Sequence, residues 1–423
     1  MALVMWTLSG LVSLLMGLVY CELSQLVPQS GGDLAYINKG LGKIPAFIIV
    51  WTNIIWNQTA STAVQALLFS DYFLALMFGS CTPPEYMRKA VAALHIITLG
   101  ITNVVSVKTG IYVQIISSII KTVAISVIII GGFVYLASGH TQHMDKPFEG
   151  SATDISSYCL ALYSCMYAYS GYVRINEVSE EVQNAKKNIP RAIIISVLVV
   201  VVINITANIS YFVLIPKLEF LQSNAVAYDW AMRGMASVAG LIPLCVMFSI
   251  YGANNGGSFA LPRIMFAAAK ADLYPEMFSF LHVDRSLPVF GVIVHHFISL
   301  LMLAAGDIGK LINFLSFMTF MMMMFSCISL LSLKFRMRGE TDDTKFQTHV
   351  SIPIIGLVFC MFLIVAPFVS NPPIELLYSV IFVVAGLLLY VPFIYLEIRL
   401  PGMDTFTMLT QLLLNVSPTD KLD

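Results

Sequence analysis

Long apolar runs separated by short polar loops set the pattern of this chain. Runs long enough to cross a bilayer as a helix, about 20 residues each, lie near 2–27, 44–76, 89–107, 110–138, 154–182, 191–215, 235–262, 288–306, 309–333, 351–369 and 374–398. Eleven membrane-spanning helices are predicted, joined by turn signals such as Pro28-Gln29-Ser30-Gly31-Gly32 and Asn371-Pro372-Pro373. No stretch is long enough for a separate soluble domain. One run breaks the pattern: Tyr167-Ala168-Tyr169-Ser170-Gly171-Tyr172 brings small residues and aromatic hydroxyls into an apolar segment, followed at once by Arg174, Glu177, Glu180 and Glu181. Unpaired backbone groups are costly in hydrocarbon, so a break at this depth is expected to face a cavity or a ligand.

Composition agrees with the span pattern. Hydrophobic residues make up 58% and charged residues 11%, against roughly 25% charged in a soluble domain, so the protein is read as polytopic and all-α. Charge placement sets its orientation. Of 23 Lys and Arg, sixteen fall on one side when the loop at 28–43 is cytosolic, six fall on the other, and Lys121 lies within a span. The positive-inside rule therefore puts the carboxyl tail, 399–423, in the cytosol. The first span starts at Ala2 with no basic leader, which argues against a cleaved signal peptide. With an odd number of spans, a helix upstream of Met1 is expected.

Polar groups inside spans mark candidate chemistry. In the fourth span Gln114, Ser118 and Lys121 follow helical spacing, and Lys121 lies roughly 16 Å from the inner helix end at 1.5 Å per residue. An ammonium there costs at least about 2.5–3.5 kcal/mol and requires an inward-facing partner. The second span carries Asn53, Asn57, Gln58, Thr59, Ser61 and Thr62, a face that looks into a wet cavity or hydrogen-bonds to neighbouring helices. Glu22 lies near a cytosolic helix end, where a carboxylate stays solvated. The Met321–Met324 run has no His or Cys at ligand spacing and is read as flexible packing. Of seven cysteines only Cys81 is in a short loop, on the outer side, where it is either a free thiol or paired with another chain. No nucleophile–base set, metal-ligand cluster or phosphate loop appears, so no enzymatic activity, cofactor, metal or nucleic-acid partner is expected.

Several motifs together carry a resemblance: Glu22-Leu23 with Ser30-Gly31-Gly32-Asp33; the Tyr167–Tyr172 core with Ser179-Glu180-Glu181; Asn188-Ile189-Pro190; and Gly306-Asp307-Ile308. They resemble the light chains of heteromeric amino acid transporters, in the L-type family of the amino acid–polyamine–organocation superfamily. The stretch from Leu261 to Pro275, with Arg263, matches in weakened form, with Lys270 and Asp272 at places usually held by Arg and Gly. The resemblance starts at the family's second helix and runs to the carboxyl end. It implies a LeuT-like fold of two five-helix inverted repeats, here with about 11 helices instead of 12. Residues 1–138 would be the remainder of the first repeat, 154–333 the second, and 351–398 two further helices.

The same resemblance implies sodium-independent exchange of amino acids across the plasma membrane. Tyr167, Ala168, Tyr169, Ser170, Gly171 and Phe320 would contact the substrate, with Tyr167 also acting as a gate. Lys121 would be a fixed cation replacing sodium, and Cys81 would bond a single-pass heavy-chain glycoprotein. Gln58 and Thr319 stand where acidic-substrate relatives place arginines, which favours neutral amino acids over acidic amino acids or cystine. Arg174 faces either cavity or cytosol, and a solvated interfacial position is expected. A shortened, non-transporting subunit that still pairs through Cys81 is the alternative of a different class.

Overall fold

The computed structural model describes all residues of the chain except 80–82, 106, 143–147, 149, 153, 178, 286, 306, 338–345, 370–373, 399–400 and 419–423. Helices occupy every predicted span. In order, α1 is Ala2–Leu26, α2 Asp33–Leu41 and α3 Lys43–Thr52; a π-helical turn at Asn53–Asn57 then leads into α4, Gln58–Phe78. Next come α5 (Glu85–Val105), α6 (Val107–Ala137), α7 (Ile155–Tyr169), α8 (Arg174–Glu177) and α9 (Ala185–Leu214). Two short helices follow, α10 (Lys217–Gln222) and α11 (Val226–Gly234), before α12 (Leu241–Lys270), α13 (Val289–Met302) and α14 (Ile308–Arg336). The chain closes with α15 (Ser351–Val365), α16 (Ile374–Tyr390) and α17 (Met403–Leu414).

Among the described residues seven helical segments are long and apolar enough to span a membrane: Ala2–Leu26, Lys43–Phe78, Gly110–Ala137, Ala185–Leu214, Ile308–Arg336, Ser351–Phe368 and Ile374–Tyr395. The other four predicted spans are helical but shorter, broken or more polar. Outward-facing apolar side chains such as Ile115, Ile119 and Val123 on α6 and Ile381 and Leu388 on α16 suit a lipid surrounding.

Local signals explain several boundaries. Asp154 caps α7 by accepting from Ser157 N–H at 2.8 Å, and Asp307 caps α14 by accepting from Lys310 N–H at 3.0 Å. α9 begins at Ala185, after Asn184 in the left-handed region, rather than at Pro190. Pro190 lies inside the helix because the polar Ala185–Asn188 segment, outside the apolar run, is helical too. Close helix contact needs glycine at two places on α6 and α12. A Cβ on Gly132 would sit 2.3 Å from Ser210 Cβ of α9, and one on Gly252 would sit 2.2 Å from Ser117 Cβ of α6.

A small antiparallel pair joins Phe280–His282 (β1) to Val416–Pro418 (β2), which returns the carboxyl tail to the loop before α13. Glu22 is also tied in rather than solvated as expected. It is 3% exposed, its Oε1 is 2.9 Å from Lys334 Nζ, and its Oε2 accepts from Thr348 N–H at 3.0 Å. A buried carboxylate needs such partners.

Candidate functional site

A cavity of about 70 Å3 is walled by α1, α2, the π-turn, α4, the broken stretch after α7, and α14. A single water needs about 10–15 Å3, so the space is ample for several waters or a small ligand.

The break forms the first wall. α7 remains helical through Tyr169, and Ser170–Val173 then tighten into a 3-10 turn. Ser170 Oγ donates to Tyr167 O at 2.8 Å, and the Ser170 N–H is directed at the same carbonyl. A hydroxyl competing for a helix carbonyl favours such a local change of pitch. Because the stretch stays close to helical, the lining residues Met166, Tyr167, Ser170, Val173, Arg174 and Glu177 share one face. The lining thus brings together Tyr167, Ser170 and Phe320 from the expected set and leaves out Ala168, Tyr169 and Gly171. Ala168 and Gly171 are exposed. Tyr169 turns toward α1, where its Oη donates to Trp6 O at 3.1 Å and its ring lies 5.8 Å from the Trp6 ring.

The second wall comes from the π-turn and α4. The extra residue in a π-turn widens the helix locally, a feature frequent at functional sites. It brings Asn53, Asn57, Gln58 and Ser61 to the cavity. Asn53 Oδ1 is buried and has no partner among the described groups. Ser61 Oγ lies 3.2 Å from Tyr167 Oη, so α4 and α7 are joined by hydroxyls across the cavity. Beside this wall Thr62 Oγ1 is 3.2 Å from His295 Nε2 of α13, a contact outside the cavity lining.

α14 supplies the third wall. Phe320 is 1% exposed, with its ring 5.0 Å from Tyr163, and Thr319 Oγ1 donates to Asn57 Oδ1 at 3.4 Å. Met322 and Met323, from the run read as packing, also line the cavity, and Met322 sulfur accepts from Asn57 Nδ2 at 3.7 Å.

The Ser30–Asp33 turn backs Glu177 and brings Asp33 to the lining. Gly31 and Gly32 have φ of 117° and 53°, values that side chains disfavour, and Gly31 N–H donates to Glu177 O at 3.2 Å. Ser30 Oγ accepts from Glu180 N–H at 3.1 Å, so the two most recognisable motifs of the sequence bind each other. Asp33 Oδ1 accepts from Tyr20 Oη and Ser326 Oγ, each at 2.6 Å.

Arg174 corrects the expectation of a solvated interfacial position. Its Nη2 donates to Gln58 Oε1 at 2.7 Å across the cavity, and its Nη1 donates to Glu177 Oε1 at 3.2 Å. The helical restart at Arg174 aims the side chain inward. Lys121 is elsewhere: its side chain is exposed on α6, outside the cavity lining, and it makes no ion pair with a described residue. Cys81 lies outside the described residues. Among those described, no group of three or more His, Cys, Asp or Glu could hold a metal.

Comparison with known proteins adds kinship to this geometry. The family model described as amino acid permease matches residues 1–391. The chain is 33% identical over 421 residues to the b(0,+)-type amino acid transporter 1 of Homo sapiens, covering 99% of this chain and 86% of that protein. It is 34% identical over 372 residues to the cystine/glutamate transporter of Homo sapiens, covering 88% and 74%. The Asc-type amino acid transporter 1 of Mus musculus is 30% identical over 376 residues, covering 88% and 70%.

Proposed function

The chain belongs to the amino acid permease family, among the light chains of heteromeric amino acid transporters, and from that premise we propose that it exchanges neutral L-amino acids across the plasma membrane without sodium. It is a polytopic membrane protein of the LeuT-like class, and its relatives are transporters rather than enzymes. The observation that carries the reading is the cavity bounded by Tyr167, Ser170 and Phe320, beside a broken helix. Tyr167 gates that cavity, and the inverted repeats rock around it to give alternating access. Charge supports the neutral preference: Arg174 is compensated by Glu177, so an incoming anion meets no free guanidinium.

The sodium-independent part rests on the family resemblance, which gives Lys121 the role of a fixed ammonium, and its side chain stands on α6 outside the cavity lining. Pairing rests on Cys81, which bonds a single-pass heavy-chain glycoprotein on the outer face while the carboxyl tail stays cytosolic. A second reading, exchange of acidic amino acids or cystine, draws on the guanidinium of Arg174 inside the cavity.

The test is uptake of labelled leucine, lysine, glutamate and cystine by sealed vesicles holding the protein and preloaded with unlabelled amino acid. Leucine uptake that needs internal amino acid and is unaffected by sodium is expected. Glutamate or cystine uptake without leucine uptake selects the second reading, and a sodium requirement removes the fixed-cation role of Lys121.

A further inference from the structure

Arg174 and Glu177 form an ion pair inside the cavity, whose lining also holds the neutral Gln58 and Thr319. They sit one turn apart on α8, where the i,i+3 spacing puts both on one face. The two ends of the pair differ in access. The Glu177 side chain is 6% exposed, whereas that of Arg174 is 39% exposed and open to the cavity. Glu177 is backed by the Ser30–Asp33 turn: its carbonyl accepts from Gly31 N–H at 3.2 Å, and a Cβ added at Gly32 would lie 3.4 Å from its Cγ, an ordinary contact. Gln58, on the facing wall, takes the other guanidinium nitrogen at 2.7 Å and keeps the arginine stretched across the cavity. Asp33 also lines the cavity, with Oδ1 engaged by Tyr20 and Ser326.

Resting on the transporter reading above, we infer that the Arg174–Glu177 pair sets which substrate side-chain charge the cavity accepts. A buried ion that loses its partner must find another or neutralise. With both present, the pair is internally satisfied and the cavity selects uncharged side chains. Without Glu177, Arg174 presents a guanidinium edge that matches a carboxylate. Without Arg174, the buried Glu177 carboxylate faces the cavity uncompensated and matches an ammonium or guanidinium. Selectivity therefore turns in opposite directions when the two residues are removed one at a time.

The experiment measures glutamate, leucine and lysine exchange by the full chain in sealed vesicles for wild type, Glu177→Gln, Arg174→Gln and the double variant. Glu177→Gln is expected to raise glutamate-to-leucine uptake about tenfold or more, and Arg174→Gln to raise lysine-to-leucine uptake likewise. The double variant, which strands neither ion, keeps the wild-type profile. Unchanged ratios in both single variants, with leucine uptake retained, overturn the inference and leave the transporter reading intact. Should the single variants not reach the membrane, Gln58→Glu carries the test: it adds a carboxylate on the facing wall, and a shift toward lysine supports the inference while an unchanged profile overturns it. Absence of amino acid exchange by the wild type sinks the transporter reading and this inference with it.

Discussion

Removing the Tyr167 hydroxyl with Tyr167→Phe isolates one contact of the proposed gate. The hydroxyl is 3.2 Å from Ser61 Oγ, and this is a cross-cavity link from the end of α7 to α4. At that length the bond is weaker than an O–H···O contact near 2.7–2.8 Å, so the lower part of the usual range, about 0.5–1 kcal/mol, applies. At about 1.4 kcal/mol per factor of ten, the closed, substrate-holding state loses about twofold to fivefold in population relative to the open one. The half-saturating leucine concentration for exchange should rise by that factor. Ser61→Ala removes the same bond from the other side, although Gln65 Nε2 then loses its 3.4 Å contact with Ser61 as well. The two changes share one interaction, so the double variant should be little worse than either alone. Effects that multiply, or a Tyr167→Phe protein with unchanged half-saturation and intact surface level, would refute the proposal that this hydroxyl pair closes the gate.

Three further outcomes follow from particular contacts. Gly252→Val places a side chain within 2.2 Å of Ser117 Cβ and should cost at least about 1–3 kcal/mol by overpacking, read as a lowered melting temperature in detergent, whereas Gly171→Ala, with nothing within 4 Å of its Cβ, should melt like wild type. Glu22→Ala strands Lys334, only 16% exposed, and should destabilise by about 3–5 kcal/mol; Glu22→Ala with Lys334→Met should recover part of that loss. Cys81→Ser should abolish the reductant-sensitive band formed with a heavy-chain glycoprotein on non-reducing gels, while retention of that band would remove Cys81 from the pairing.

Much of this architecture was legible in the order of apolar runs, because a span of hydrocarbon thickness admits few backbone solutions besides a helix. The break after α7 was legible too, since Ser170-Gly171 inside an apolar run is out of place, although the helix persists to Tyr169. The direction of individual side chains was not. Arg174 turns inward because the chain resumes helical pitch after the 3-10 turn, and neither hydropathy nor spacing fixes that rotation. The π-turn at Asn53–Asn57 was equally hidden, although Asn53, Asn57 and Ser61 at spacing of four were the available signal. Glu22 looked solvated because its partners, Lys334 and Thr348, are more than 300 positions away. Lys121 was placed by its depth, its helical spacing with Gln114 and Ser118 and the family resemblance, none of which says which way its side chain points; it is exposed on α6.

The central claim, that the cavity beside the broken helix carries amino acids through the membrane, is tested most directly by counterflow. Purified protein in sealed vesicles loaded with unlabelled leucine should accumulate external labelled leucine transiently, and Ser170→Trp, which fills the cavity beside Tyr167 and Phe320, should abolish the accumulation at normal protein level. Undiminished accumulation in that variant, or none for any amino acid in the wild type, would contradict the account.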